Sequence, residues 1–216
     1  MHKWVQWLLP QMFFCLNLAA VVVYAVTSNS LETSLNLTSA QIGGLGGAYF
    51  IAYALSQLFL GSSLGALPAK YLVGITALVS AAGSFLLSAA ENYEIVMVAR
   101  ILMGIGFGTA MVGVIYAIGK YFTNKFAFMV NLSQSAANAV GAAIGTLASI
   151  PLLQNFRLPF LVTGCLLVVN GVMLLLITSN DEKNPANERS AGLANQLVGI
   201  AANSQFWIGT IYFTGL

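Results

Sequence analysis

Charged residues are scarce in this 216-residue sequence, which has eight Lys or Arg and six Asp or Glu. About a quarter of the residues of an ordinary globular domain are charged. The charged residues of this chain are too few to cover the surface of a water-soluble domain. Apolar residues make up 58% of the chain. The net charge is only +2 and no basic patch is present, so the composition also argues against a nucleic-acid partner.

The residues that build most catalytic and metal sites are also scarce. His2 is the only histidine and lies at the N-terminus, so no histidine-based metal cluster or catalytic triad can be assembled. Cys15 and Cys165 lie in apolar stretches and are expected to act as small apolar residues, not as a disulfide or metal site. Paired carboxylates, and a base beside a nucleophile, are missing as well. We therefore expect no enzyme activity, no metal and no cofactor.

Long apolar stretches alternate with short polar connectors along the chain. Each stretch has close to the roughly 20 residues, at about 1.5 Å rise per residue, that cross a bilayer core about 30 Å thick. The first is longer than the roughly 7–15 apolar residues of a secretory signal, which makes a cleaved signal the less favoured alternative. We predict an all-α membrane protein with a bundle of six transmembrane helices. The predicted spans are residues 7–26, 41–63, 71–90, 95–119, 126–150 and 158–178.

The sequence divides into a predicted bundle and a polar tail. Residues 1–178 hold the six spans. Residues 179–205 include five of the fourteen charges, together with Pro185 and Gly192, which is typical of a solvated cytoplasmic linker. The later part of this linker could form an amphipathic helix lying along the membrane. Residues 206–216 begin a seventh apolar stretch too short to cross the bilayer, so we expect the sequence to be a fragment of a longer protein.

Lysine and arginine concentrate on one side of the predicted bundle. With the N-terminus in the cytoplasm, six basic residues lie on the cytoplasmic side and one on the other, in agreement with the positive-inside rule. Spans one to three and four to six are similar in length and connector size, which is typical of two inverted repeats of three helices. The cytoplasmic set is Lys3, Lys70, Lys120, Lys125, Lys183 and Arg189, and the opposite set is Arg157 with Glu32, Glu91 and Glu94.

Polar side chains recur at helical spacing inside several spans. Because polar groups in a bilayer must face protein or water, each such face marks the interior of the bundle. Individual residues are explained by interhelical hydrogen bonds worth about 0.6 kcal/mol each, whereas the set is better explained by a cavity between spans one, two, four and five. Span six has only Thr163 and Asn170 in an aliphatic run, and we expect it to face lipid. The polar faces are Asn17, Tyr24 and Ser28 in span one, Tyr49, Tyr53 and Gln57 in span two, and Asn131, Gln134, Ser135 and Asn138 in span five.

Arg100 is the one charged residue well inside a span. An arginine at the centre of a bilayer costs about 2.5–3.5 kcal/mol on insertion scales, so it requires a partner or a wet cavity. Glu32, Glu91 and Glu94 are predicted on the same side of the membrane and could pair with it. Its role is open between binding an anion, contributing to proton coupling, and positioning the helix through bonds to backbone carbonyls of a neighbouring span.

Small residues mark predicted sites of close helix packing. Thr76, Ser80, Ser84 and Ser88 are spaced by four along span three, and we expect a packing stripe and not a nucleophile, since no base is available. Glycines in spans two, four and five are expected to allow close approach between helix backbones. These are Gly43, Gly47, Gly104, Gly106, Gly108, Gly113, Gly141 and Gly145.

Local motifs give the chain a resemblance to a known family. Arg100 is followed four and six residues later by Gly104 and Gly106, which is similar to the fourth-helix pattern of major facilitator superfamily transporters. Gly61 and Lys70 match the two ends of the cytoplasmic signature loop of that family. The loop departs from the signature where the family has Asp, Arg and Gly, since those positions are Gly65, Ala66 and Pro68.

The resemblance implies the N-terminal half of a twelve-helix transporter, in which spans one, two, four and five line the cavity. The implied activity is secondary active transport of a small polar, zwitterionic or anionic organic solute by alternating access, either coupled to protons or facilitative. The implied partners are that solute, the lipid bilayer, and a missing C-terminal half or a second copy, in the bacterial inner membrane. Gly61 and Lys70 are candidates for the gating loop. Because this loop departs from the family signature, the alternative is a receptor or scaffold that keeps the fold without transporting a solute. The cavity candidates are Tyr24, Tyr49, Tyr53, Gln57, Arg100, Asn131, Gln134 and Asn138.

Overall fold

Helices make up the regular structure of the described part of the chain. The computed structural model describes residues 3–62, 68–150 and 155–178. The predicted linker (179–205) and seventh apolar stretch (206–216) lie outside the described residues. The helices are α1 (Lys3–Leu35), α2 (Ser39–Ser62), α3 (Ala69–Ser88), α4 (Tyr93–Phe107), α5 (Ala110–Tyr121), α6 (Phe126–Ala148) and α7 (Arg157–Ile177), with a single 3-10 turn (Thr123–Lys125) before α6.

The six predicted spans coincide with these helices. α1 continues past the predicted end of span one, and span four is divided into α4 and α5. α6 has 23 residues but is not among the described segments that are both long and apolar enough to cross a membrane, because amide side chains lower its hydropathy. The all-α membrane fold is confirmed, whereas the inverted repeat stays a prediction. The described segments that meet both criteria are Lys3–Leu35, Ser39–Leu60, Ala69–Ser88, Tyr93–Tyr121 and Arg157–Ile177.

Local sequence determines where several helices begin and end. Asn92 caps the start of α4, since its side-chain oxygen accepts a hydrogen bond from the backbone N–H of Ile95 at 2.9 Å. Pro68 precedes α3 with its φ at −58°, and it has no N–H to leave unpaired. α1 ends where Asn36 adopts a φ of 50°, a left-handed conformation that asparagine tolerates better than most residues.

α1 is the central helix of the bundle and contacts α2, α4, α5, α6 and α7. α3 packs mainly against α4 and α7, and α2 packs mainly against α4. Aromatic side chains fill the space between α1 and the fourth span, where the rings of Phe13 and Phe107 stack with their centres 5.4 Å apart. The helices around α1 therefore share one apolar core.

Glycines allow the expected close contacts on α4 and α6. A Cβ on Gly141 would lie 3.2 Å from the side chain of Leu18 in α1, and a Cβ on Gly106 would lie 2.6 Å from the carbonyl oxygen of Thr76 in α3. The packing stripe of α3 is also present, because all four of its hydroxyl residues are buried. These are Thr76, Ser80, Ser84 and Ser88.

The expectation of close approach was wrong for two glycines of α2. A Cβ on Gly43 or Gly47 would meet no atom of the described chain within 4 Å. α2 is buried mainly along the face that meets α4, and these two glycines lie on another face. A spacing of four residues identifies a shared face of a helix but not whether a second helix covers it.

α7 has one buried face and one exposed face. Thr163 and Asn170 are buried, and Asn170 is only 1% exposed. Leu161, Val169 and Leu176 are exposed on the remaining surface, as expected for side chains that meet lipid tails. The predicted lipid exposure of span six therefore holds for one face only, because the other face packs against α3 and α1.

Basic residues are separated between the two ends of the bundle. The starts of α1 and α3 and the ends of α5 and α7 line one small cavity at an end that we name the lysine end. Arg157 lies at the opposite end, where its guanidinium donates a hydrogen bond to the carbonyl oxygen of Ser88 at 3.2 Å. The lysines adjoining the helix termini of the lysine end are Lys3, Lys70, Lys120 and Lys125.

Candidate functional site

Arg100 lies in the interior of the bundle, close to α1 and α2. Its side chain is 1% exposed, and it is about 10 Å along the helix from the start of α4 at Tyr93. The guanidinium carbon is 3.9 Å from the centre of the Tyr24 ring and 4.3 Å from the centre of the Tyr49 ring. A cation over an aromatic face contributes about 2 kcal/mol or more when water is excluded. The two rings therefore stabilise the buried charge directly.

Hydrogen bonds hold both rings in position. The Tyr24 hydroxyl donates to the carbonyl oxygen of Ile42 at 2.7 Å, which joins α1 to α2. The Tyr49 hydroxyl donates to the side-chain oxygen of Asn17, which joins the same two helices about two turns deeper. The ring of Tyr53 stacks on that of Tyr49 with the centres 6.2 Å apart. Residues from three helices thus form one polar and aromatic cluster, the arginine cluster: Asn17, Tyr24, Tyr49, Tyr53 and Arg100.

The guanidinium of Arg100 has fewer polar partners than it can bind. Its Nε–H donates to the carbonyl oxygen of Leu45 at 3.4 Å, and Nη1 has no hydrogen-bond partner. No ion pair with Glu32, Glu91 or Glu94 is formed within the described part of the chain; Glu32 instead accepts a hydrogen bond from the Ser39 hydroxyl at 2.8 Å. A buried charge requires compensation, and here two aromatic rings and one backbone carbonyl oxygen take the place of a carboxylate partner.

The polar stripe of α6 lies beside the face of that helix that packs on α1. Gly141 and Gly145 mark the buried face, because a Cβ on Gly145 would collide with Val22 of α1 and a Cβ on Gly141 would lie 3.2 Å from Leu18. Asn131, Ser135 and Asn138 are exposed, and Gln134 is half-buried. At membrane depth these amides would be unstable against lipid. The stripe therefore requires water or another polar surface beside it.

Seven of the eight predicted cavity residues fall into two groups, and Gln57 belongs to neither. Tyr24, Tyr49, Tyr53 and Arg100 belong to the arginine cluster, whereas the amides of span five belong to the open face of α6. α6 packs mainly against α1, and α2 packs mainly against α4. Among the described residues, no hydrogen bond or ring contact joins the two groups. The α6 group is Asn131, Gln134 and Asn138, and the other group is the four predicted residues of the arginine cluster on α1, α2 and α4.

Three further candidates lie near the C-terminal end of α2 and the start of α3. Gln57 is half-buried on α2, one turn beyond Tyr53. Gly61 lies in the last turn of α2, and most of the loop that follows is outside the described residues. Lys70 lies in the first turn of α3, with its Nζ 4.8 Å from the centre of the Tyr71 ring. Lys70 also lines the small cavity at the lysine end.

Three hydrogen bonds that join α1 to α6 or α7 involve residues that were not among the expected site residues. Gln11 donates through Nε2 to the carbonyl oxygen of Ser133 at 3.0 Å, and the Trp7 indole N–H donates to the Ser133 hydroxyl at 3.0 Å. Asn170 of α7 donates to the carbonyl oxygen of Leu9 at 3.2 Å. An amide in a long apolar run is a signal of burial, but it does not identify the partner helix. α1 is therefore joined by polar bonds to α2, α6 and α7.

Metal-binding side chains do not converge in the described residues, where no three His, Cys, Asp or Glu come together.

The sequence model of the Major Facilitator Superfamily matches residues 9–216. Comparison with curated proteins gave no match. The matched range contains the whole arginine cluster and the polar stripe of α6.

Proposed function

The chain belongs to the Major Facilitator Superfamily, and we propose that it moves a small polar, zwitterionic or anionic organic solute across the membrane by alternating access. Membership of this family indicates a multi-pass membrane transporter, with a small molecule and the bilayer as its partners. It also fits a protein that is not an enzyme. The class of solute, the mechanism and the residues that line the path are parts of the proposal.

The open amide stripe of α6 is the observation that carries this proposal. Asn131 and Asn138 are exposed on a face of α6 that borders the face packed on α1. An aqueous cavity would satisfy both side chains, and each offers a donor and an acceptor to a polar solute. We propose that this stripe forms part of the wall of the transport path, together with Gln134 and with Gln57 of α2.

The arginine cluster supports a preference for solutes with a negative group. Nη1 of Arg100 has a free donor, and no carboxylate of the described chain compensates the charge. A carboxylate or phosphate on the solute would be attracted to this site, whereas a cation would be repelled. The described spans bury no Asp or Glu, so we propose facilitative transport or coupling through residues beyond those described.

The remaining parts of the proposal concern placement in the cell. Because the lysines gather at one end of the bundle, the positive-inside rule supports placing that lysine end in the cytoplasm. We assign the protein to a bacterial inner membrane. We propose residues 1–178 as one six-helix bundle of two inverted repeats, followed by a linker (179–205) and a further span beginning at 206. The open stripe of α6 would then face a second bundle, supplied by the C-terminal half of a longer chain or by a second copy.

Reconstituted flux tests the proposal. The protein as expressed in its native host would be purified, inserted into liposomes, and offered labelled solutes grouped by charge: carboxylates, zwitterionic amino acids, neutral polyols and quaternary amines. We expect saturable uptake of an anionic or zwitterionic solute and none of the amines. Asn138→Leu should lower kcat/KM by at least about tenfold, the loss of one or two hydrogen bonds to the solute.

A matched control is Leu166→Ala, which changes an exposed side chain on the outer face of α7. It should leave uptake unchanged. Uptake of quaternary amines alone would refute the assigned solute class, and an Asn138→Leu variant as active as wild type would remove α6 from the path. Folded protein without flux for any group, but with retained binding of a protein partner, would favour the receptor or scaffold.

A further inference from the structure

The fourth span contains a break that neighbouring helices contact directly. α4 ends at Phe107 and α5 begins at Ala110, with Gly108 and Thr109 between them. Gly108 N–H is shared between the carbonyl oxygens of Gly104 and Ile105, at 3.2 and 3.4 Å. Regular bonding resumes when Gly113 N–H donates to the Thr109 carbonyl oxygen at 2.8 Å. The helical ladder is therefore weakened at one defined point near the middle of the span.

Ser56 of α2 binds the backbone on one side of this break. Its hydroxyl lies 3.0 Å from the carbonyl oxygen of Ile105 and 3.4 Å from that of Gly104. It also lies 3.2 Å from the carbonyl oxygen of Tyr53 in its own helix. A serine hydroxyl has one hydrogen to donate, so Ser56 can exchange between an acceptor in α4 and an acceptor in α2 by a rotation about one bond.

Thr76 of α3 binds the break from a different helix. Its hydroxyl oxygen is 2.5 Å from that of Thr109, and both residues are buried. The Thr76 hydroxyl is also 2.8 Å from the carbonyl oxygen of Leu72. All these groups are satisfied when Thr109 donates to Thr76 and Thr76 donates to Leu72. The break is thus held by hydroxyl groups from two neighbouring helices.

The two parts of the span pack mainly against different neighbours. A Cβ on Gly104 would lie 2.5 Å from the carbonyl oxygen of Tyr49 in α2, and a Cβ on Gly106 would lie 2.6 Å from that of Thr76 in α3. α4 is therefore in backbone contact with both neighbours. α5 packs mainly against α1 and also contacts α6 and α3. A change of angle at the break would move α5 with α1 while α4 stays with α2 and α3.

We propose that residues 108–109 form a bending joint in the fourth span, with Ser56 as its movable cap and the Thr76–Thr109 hydroxyl pair as its anchor. When α5 tilts, the carbonyl of Ile105 loses its helical donor, and the Ser56 hydroxyl replaces it. When α5 straightens, the hydroxyl returns to Tyr53. The use of this bend in transport rests on the proposed function, but the existence of the joint does not.

Hydrogen–deuterium exchange measures the joint without any substrate. The full-length protein would be placed in lipid nanodiscs, and exchange would be compared between peptides covering 107–112 and 96–103. We expect faster exchange in 107–112, because local opening requires fewer intact helical bonds there. Ser56→Ala should raise exchange in 107–112 by about two- to tenfold, the range expected for one lost hydrogen bond. Thr109→Val, which keeps the shape of the side chain, should raise it similarly.

Ser84→Ala is the matched control, because Ser84 is a buried hydroxyl of α3 without a hydrogen-bond partner. It should leave exchange in 107–112 unchanged. Equal protection of 107–112 and 96–103, or the same response to Ser56→Ala and Ser84→Ala, would overturn the joint. Thr109→Val supplies an independent result if Ser56→Ala does not fold. Absence of flux alongside a responsive joint would refute the proposed function and leave the joint in place.

Discussion

The guanidinium carbon of Arg100 lies 3.9 Å from the centre of the Tyr24 ring. Tyr24 belongs to α1 and Arg100 to α4, so this contact joins two helices that have few other contacts with each other. On the other side of the guanidinium lies Tyr49 of α2. One buried cation therefore links three helices through aromatic faces, and its environment can be tested one ring at a time.

The contribution of the Tyr49 ring can be separated from that of its hydroxyl. Tyr49→Phe leaves the ring over Arg100 but leaves the Asn17 side-chain oxygen without its donor, which should destabilise the fold by about 1 kcal/mol. Tyr49→Leu removes the ring as well and should destabilise it by about 2 kcal/mol more. Thermal unfolding followed by circular dichroism would show a lower Tm for both, with the larger shift for Leu.

Tyr71→Leu is the control for an exposed ring near a cation, since Tyr71 is exposed and lies beside Lys70. Its Tm shift should be smaller than that of Tyr49→Leu, because exposed cation–π pairs contribute only about 0.5–1 kcal/mol. Equal shifts for the two leucine variants would show that the sandwich around Arg100 adds nothing to stability.

Replacing Arg100 by methionine should separate stability from function. The charge is buried without a carboxylate partner, and an apolar side chain of similar length avoids its desolvation. We expect Arg100→Met to unfold at a Tm equal to or above that of wild type, while uptake of anionic solutes falls at least about tenfold. Arg100→Ala, which leaves a cavity, should lower the Tm. A lower Tm for methionine with unchanged anion uptake would assign Arg100 a purely structural role.

Two glycines on neighbouring helices should respond oppositely to alanine. A Cβ on Gly104 would lie 2.5 Å from the carbonyl oxygen of Tyr49, a rigid backbone atom, so Gly104→Ala should destabilise the bundle by about 1–3 kcal/mol through overpacking. Gly43 has no atom within 4 Å of its Cβ position, so Gly43→Ala should be neutral or stabilise by up to about 1 kcal/mol. Chemical denaturation in mild detergent would measure both, and a destabilised Gly43→Ala would reveal a covering surface.

Two serines of α6 provide a similar comparison. The Ser133 hydroxyl is buried and accepts the Trp7 indole N–H at 3.0 Å, so Ser133→Ala leaves that donor unpaired and should destabilise by about 1–3 kcal/mol. Ser135 is exposed on the open stripe, and Ser135→Ala should change stability by less than about 0.5 kcal/mol. Unfolding followed by tryptophan fluorescence would report both; a neutral Ser133→Ala would show that Trp7 finds another acceptor.

Some features of the site could be predicted from the sequence and others could not. Polar residues recur every four positions in span two, which predicted that Tyr49 and Tyr53 share one face of α2, because a helix has 3.6 residues per turn. The same pattern carried no information on the partner of Arg100, which proved to be two rings and a backbone carbonyl. It also could not show that no neighbouring helix packs against Gly43, whereas α2 packs closely against Gly104.

The helical class, the approximate positions of the apolar stretches and the concentration of lysine at one end of the bundle follow from the sequence by itself. Hydropathy and helical periodicity are local properties, and a bilayer converts them directly into span length. The tertiary structure alone decided which polar faces became buried bonds and which stayed open. Gln11 and Asn138 are both amides in apolar spans, yet one binds a neighbouring helix and the other is exposed, because that outcome depends on which helices pack together.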